Sequence, residues 1–114
     1  MKNLLKIISI FYMLFSFTYA NKFYKLYFEW KTEATIKEKY DNEAKLKLFL
    51  KRYLKVYNLT YFPTSLSIPF KDAFFNNYIY IFVSPDNIKI LSPGADGFPK
   101  TKDDIIHNFF LDAL

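Results

Sequence analysis

Hydrophobic side chains recur at three- and four-residue spacing in the middle of the chain. Such a stripe is typical of a helix lying on a core, and its members are Leu46, Phe49, Leu50, Tyr53, Leu54 and Tyr57. Thr35 and Glu38 match a capping box, in which each residue satisfies a free backbone donor of the first turn, so we expect the helix to begin near Thr35. Asn58 and then Pro63 indicate that it has ended.

The second half of the chain carries the composition of strands. Residues 77–83 are rich in Tyr, Ile and Phe, and residues 88–91 form a second short apolar run. Between them, residues 84–87 read Ser-Pro-Asp-Asn, a four-residue turn, so the two runs predict an antiparallel hairpin. The last apolar segment, residues 105–114, predicts a short terminal helix. The expected class is α+β, with one long N-terminal helix packed on a small antiparallel β-sheet.

Residues 1–20 have the layout of a secretory signal peptide. Lys2 and Lys6 precede an uncharged apolar run that is followed by Ala20, a small residue at a cleavage position. The uncharged stretch is shorter than the ~20 residues that a membrane-spanning helix needs. We therefore expect cleavage after Ala20 and a domain of residues 21–114 in the periplasm or outside the cell. The alternative is an uncleaved anchor in the inner membrane.

Composition narrows the class of protein further. The chain has 114 residues, which suits one domain, and its 14 Phe and 10 Tyr exclude an intrinsically disordered protein. Without Lys2 and Lys6 it retains 14 basic residues against 11 acidic ones. The densest basic run lies on the solvated face of the predicted helix, so binding of nucleic acid is not indicated.

No constellation of catalytic residues stands out, so we do not expect an enzyme. His107 is the single histidine of the chain, and no Ser-His-Asp arrangement with plausible partners includes it. Because it follows Ile106 and precedes Phe109, we expect it on the surface or boundary of the terminal helix. One aromatic run offers either a partner surface or, more simply, alternating core positions of a strand. Its members are Phe74, Phe75, Tyr78 and Tyr80.

Both glycines of the chain lie in one acidic loop. Gly94 and Gly97 bracket Asp96, and Asp103 and Asp104 follow closely enough to fold back toward it. Carboxylate, carbonyl and water oxygens are the ligands of Ca²⁺, about six to eight of them at ~2.3–2.6 Å. The absence of cysteine and the single histidine argue against zinc or copper. The loop predicts a calcium site or, alternatively, a solvated turn in which Asp103 caps the terminal helix.

Three motifs follow one another from the end of the predicted helix to this loop. Residues 51–64 run from Lys-Arg-Tyr-Leu to Tyr-Phe-Pro-Thr, residues 71–80 contain Asp-Ala-Phe-Phe-Asn-Asn-Tyr, and residues 92–97 read Ser-Pro-Gly-Ala-Asp-Gly before Asp-Asp-Ile. Together they resemble the major pseudopilin family of type II secretion systems. That family has a helix end leading into Gly-x-Tyr-Pro-Thr, then Asp-Pro-Trp-Gly-Asn-Pro-Tyr-x-Tyr, then Ser-Leu-Gly-Ala-Asp-Gly and Asp-Ile.

The resemblance implies a pilin-like head with a structural calcium ion in the terminal loop. By position, Asp96 and Asp103 would supply side-chain oxygens and Pro93 a backbone carbonyl. Asp104 would be either a further ligand or the cap of the terminal segment. The resemblance also implies a non-enzymatic role in protein secretion, through contacts with proteins of the secretion or envelope machinery or with further copies of the chain.

The chain departs from the family pattern at two places. The glycine-rich gap of the family is replaced by residues 98–102, which include a proline and two lysines. No acidic residue precedes Glu29, and the cleavage motif of prepilins is missing. These departures predict a soluble pilin-like head instead of a filament subunit. The alternative function is a free periplasmic or secreted, calcium-stabilised binding domain outside the secretion machinery.

Overall fold

A computed structural model describes the backbone of residues 2–114 and the side chains of residues 3–13 and 19–114. The helical elements are α1 (Lys2–Lys37), a π-helical turn (Glu38–Asn42) and α2 (Glu43–Val56). They are followed by strands β1 (Ile79–Ser84), β2 (Asn87–Ser92) and β3 (Ile105–Phe110), and by a 3₁₀ turn (Leu111–Ala113). The chain divides into two compact units, Met1–Thr32 and Glu33–Leu114.

The first unit is helical, and many of its large apolar side chains are exposed. Phe23, Tyr24 and Phe28 each show more than half of their surface to solvent. In the part of the chain that the structure describes, no helix combines the length and the apolar character needed to span a membrane.

The helix does not begin at the predicted capping box. Thr35 lies inside α1, and Glu38 opens the π turn with its side chain fully buried. Because the helix continues through these residues, there are no unpaired N–H groups of a first turn for a capping box to satisfy. Glu38 instead bonds to groups outside the helix. The predicted helix end is confirmed, because Asn58 has a φ of 52° and the N–H of Leu59 donates to the carbonyl of Leu54.

The second unit is the predicted α+β arrangement. Its three strands form one antiparallel sheet in the order β1-β2-β3, and the β1–β2 hairpin turns at Pro85 and Asp86, as predicted. Helix α2 packs Leu46 and Leu50 against the sheet because its apolar stripe faces that way. The buried cluster consists of Leu46, Leu50, Phe62, Tyr78, Ile88, Ile90 and Phe109.

The terminal segment is mostly a strand where the sequence predicted a helix. Residues 105–110 pair along β2, and burial alternates so that His107 and Phe109 face inward. Alternation is the pattern of a strand with one covered face, and the β-branched and aromatic residues of this segment favour it. The predicted helix is thus reduced to the single 3₁₀ turn at Leu111–Ala113.

Candidate functional site

The acidic loop joins β2 to β3 and closes on itself at its base. Gly94 and Gly97 have φ values of 76° and 72°, which a glycine adopts without strain. A Cβ added to Gly94 would lie 2.0 Å from the backbone oxygen of Asp103, so the two ends of the loop touch. Only glycine fits at position 94 because the opposing atoms are backbone.

The carboxylates of this loop are engaged by the loop itself. Asp96 accepts a hydrogen bond from the N–H of Phe98 at 3.0 Å. Asp104 accepts from the N–H groups of Lys100 and Thr101 at 2.7 and 3.3 Å, and from the Thr101 hydroxyl at 3.5 Å. Asp104 therefore stabilises a turn within the loop through residues that precede it, whereas the sequence predicted either a ligand or the cap of the terminal segment that follows it.

Calcium binding at this loop stays a prediction. Among residues whose side chains are described, no three acidic, histidine or cysteine side chains form a group that could hold a metal ion. A site here would have to combine Asp96 and Asp103 with main-chain carbonyls such as that of Pro93 and with water. Hard oxygen donors of this kind fit Ca²⁺.

A buried clasp ties the acidic loop to the segment before β1. The Asp72 carboxylate accepts from the N–H groups of Phe74 and Asn76 at 3.0 and 2.6 Å, and from the hydroxyl of Ser92 at 2.6 Å. The Asn76 amide donates to the carbonyl of Gly94 at 2.9 Å. Through these bonds residues 72–76 are held against residues 92–94.

The clasp imposes an unusual backbone on Phe75. Its φ is 64° and its side chain is 80% exposed. A bulky residue in the left-handed region costs about 1–2 kcal/mol relative to an ordinary conformation. Of the aromatic residues considered as a run, Phe74 and Tyr78 fill the core and Phe75 does not.

The second polar site, the Glu38 cluster, consists of the buried carboxylate of Glu38 and the groups that hydrogen-bond to it. Its Oε1 accepts from the N–H of Ala73 at 2.7 Å and from the Asn42 amide at 3.0 Å. Its Oε2 accepts from the Tyr78 hydroxyl at 2.7 Å and pairs with Nε2 of His107 at 2.7 Å. One buried carboxylate thus joins the π turn, the loop before β1 and strand β3.

The cluster fixes the ionisation of Glu38. Burial by itself would raise the pKa of this carboxyl. The hydrogen bonds from His107, Tyr78 and Ala73 outweigh burial, so the pKa of Glu38 lies below its ordinary value. Burial and the neighbouring carboxylate raise the pKa of Tyr78 far above its usual range, which keeps its hydroxyl protonated as a donor.

The expectation that His107 lies at a helix surface or boundary is wrong. The residue is on a strand, is 2% exposed and is bonded to Glu38. Its Nδ1 also lies 3.6 Å from Oε1 of Glu43, a half-exposed acid at the start of α2. One surface cleft of the described residues includes Tyr78 but neither Glu38 nor His107 in its lining.

Sequence reasoning missed this cluster although a signal was present. Buried positions recur every four residues along the helix at Ala34, Glu38, Asn42, Leu46 and Leu50. The apolar stripe, extended toward the N-terminus, passes through Glu38 and Asn42. Polar residues in phase with a core stripe indicate a buried network, which needs partners from elsewhere in the fold.

No family model matches the chain, and comparisons with curated proteins and with solved structures give no significant match.

Proposed function

We propose that the chain is a non-enzymatic protein of the cell envelope, with a pseudopilin-like, calcium-stabilised head that acts through protein–protein contacts in protein secretion. The order of elements supports this proposal, with a long helix followed by a three-stranded antiparallel sheet. The observation that carries it is the closure of the acidic loop between the last two strands, where Gly94 lies against the backbone of Asp103. This contact brings together the two halves of the family-like terminal motif.

The clasp gives further support. Asp72 and Asn76 belong to one family-like motif, and Ser92 and Gly94 belong to the next. Residues that match a family pattern by chance have no reason to bond to each other in the fold. These residues do, through two buried or half-buried hydrogen bonds.

In this proposal calcium has a structural role. It would use the side chains of Asp96 and Asp103 with the carbonyl of Pro93, and so hold the loop against the end of the sheet. An ion that binds only the folded state stabilises it by about 2.7 kcal/mol at a concentration one hundred times its Kd.

Thermal melting of the full chain with calcium and with a chelator tests the ion. We expect calcium to raise the Tm of the parent protein and to leave the Tm of an Asp96→Ala variant unchanged. Asp112→Ala, which removes an exposed acid outside the loop, is the matched control and should respond to calcium like the parent. A parent Tm that is equal in calcium and chelator would remove calcium from the proposal.

The second candidate is a free periplasmic or secreted binding domain with the same head. The leader-like residues 1–20 favour it. Intact-mass measurement of the protein from the periplasmic and membrane fractions separates the candidates. A chain that begins at Asn21 supports the free domain, whereas retention of residues 1–20 in the membrane fraction supports an anchored subunit.

A further inference from the structure

We propose that Glu38 is an acid-release latch for strand β3: while ionised, its carboxylate holds the strand against the π turn, and protonation frees the strand. The inference goes beyond the proposed function, and it depends neither on calcium nor on the pseudopilin resemblance. It rests on how one buried carboxylate is bonded and on where its partners lie.

The latch requires the ionised form of Glu38 because all of its bonds are accepted bonds. Donors from Ala73, Asn42, Tyr78 and His107 occupy the two oxygens. A proton on Oε2 would face the Tyr78 hydroxyl and Nε2 of His107, so a group that donates there would have to turn its hydrogen away or leave. The group is fully buried, so water cannot replace the partner that is lost while the site remains closed.

Strand β3 is the partner that the fold holds least. It is an edge strand, paired on one side only with β2. Only two of its side chains, His107 and Phe109, are buried, and one of these two is the latch partner. By contrast, Tyr78 lies in the core cluster, and Asn42 belongs to the same helical turn as Glu38. Opening at the latch therefore releases β3 before the remaining core.

The charged neighbours of the latch define its pH response. His107 faces Glu38 from β3, and half-exposed Glu43 faces the other ring nitrogen from α2. Tyr78 faces the carboxylate from the segment before β1, and buried Asp72 acts on Tyr78. Nε2 of His107 can donate to the carboxylate from the neutral imidazole as well as from the imidazolium, so the bond requires only the ionised form of Glu38. The latch opens in acid only.

The direction of the effect follows from the pKa of Glu38, which the fold lowers. The carboxylate contributes its full stabilisation above the unfolded pKa, near ~4.3, and loses it as the pH falls through the folded-state value. Between those two pKa values, the opening equilibrium of β3 should rise by up to about tenfold for each pH unit.

Amide hydrogen exchange of the full chain across this pH range, corrected for intrinsic exchange, tests the latch. We expect the amides that bond between β2 and β3 to lose protection as the pH falls, while the amides that bond between β1 and β2 keep theirs. Glu38→Gln should give low β3 protection that no longer changes with pH. Glu43→Gln, the matched control on the half-exposed acid beside His107, should keep the pH profile of the parent.

Two outcomes would overturn the proposal. One is loss of protection in acid that is equal for the β2–β3 amides and for the amides that bond between β1 and β2, since this would be global unfolding. The other is a Glu38→Gln variant with the same pH profile for β3 as the parent. Repeating the measurement with calcium and with chelator keeps the result separate from the proposed ion site, because the latch predicts the same selective loss in both.

Discussion

The molecule holds its acidic side chains in two contrasting ways. Glu38 is fully buried, and donors from distant parts of the chain meet at its carboxylate. Asp96 and Asp104, in the loop between β2 and β3, accept bonds from backbone groups only two to four residues away. The first arrangement is set by the tertiary fold, whereas the second is a local turn.

This difference determines what each region can do. A buried carboxylate that already accepts hydrogen bonds at both oxygens has no capacity for a ligand. It instead connects elements of the fold. Carboxylates in a half-exposed loop keep access to solvent and can add an ion without taking apart the core. A ligand or partner is therefore to be sought at the loop, and the response to mutation should be largest at Glu38.

Glu38→Ala should have the largest effect on stability. It leaves the buried His107 and Tyr78 without their acceptor, and each buried donor left unsatisfied costs about 1–3 kcal/mol, or about 2–6 kcal/mol for the two. The free energy of unfolding, measured by urea denaturation, is expected to fall by that amount. Glu43→Ala, at a half-exposed acid, should change it by less than about 1 kcal/mol. Equal losses in the two variants would contradict the claim that the Glu38 carboxylate connects these elements of the fold.

Gly94→Ala should have the next largest effect. The new Cβ would meet the backbone of Asp103 at 2.0 Å, and the positive φ adds strain. Together these predict a loss of about 2–4 kcal/mol in unfolding free energy.

Gly97→Ala is the matched comparison for that variant, because its φ is similarly positive but its Cβ would meet only the Asn76 side chain, at 3.3 Å. It should lose about 1 kcal/mol by the same denaturation measurement. If Gly94→Ala were as mild as Gly97→Ala, the loop would not be closed at its base.

Asp104→Ala and Asp96→Asn separate turn capping from ion binding. Asp104 stabilises a turn through two backbone N–H groups, so its replacement by alanine should lower the unfolding free energy by about 1–2 kcal/mol in chelator. Asp96→Asn keeps an acceptor for the N–H of Phe98, so it should be nearly neutral in chelator and should lose only the stability that the proposed calcium ion would add. A similar response of both variants to calcium would contradict this division of roles.

Phe75→Gly should have the smallest effect on stability and the opposite sign. Glycine relieves the strain of a φ of 64° and sacrifices no packing because the side chain is exposed. Part of the gain is offset by the greater freedom of glycine in the unfolded chain, which leaves up to about 1 kcal/mol of stabilisation. A comparison of thermal midpoints with Phe75→Ala, which retains the positive φ, measures the strain directly.

The elements that the sequence predicted correctly are those with a local cause. The stripe from Leu46 to Tyr57 has a helical period, and the turn at Pro85 and Asp86 has its own chemistry, so α2 and the β1–β2 hairpin followed from spacing alone. The α+β class followed in turn. The helix end at Asn58 was equally local, since it needs one residue that tolerates the left-handed region.

The errors lie where a distant partner decides the outcome. Thr35 and Glu38 satisfy the rule for a helix start, yet Glu38 is drawn into the core by Tyr78 and His107. Residues 105–110 became a strand because the free edge of β2 offered them a full ladder of backbone partners. The prediction that His107 lies on a helix surface was wrong for the same reason. Neither the partners of Glu38 nor the pairing of residues 105–110 with β2 can be predicted from the residues next to them in the sequence.

The bond between Glu38 and His107 spans 69 positions of the chain, and this separation has a consequence for biosynthesis. The helix that bears Glu38 is synthesised well before the strand that bears His107. Until that strand is made, the acidic group has to stay hydrated, and a tightly folded intermediate is disfavoured. We therefore expect the growing polypeptide to remain loose and accessible to chaperones or to an export apparatus. It should become compact only after its final strand is added.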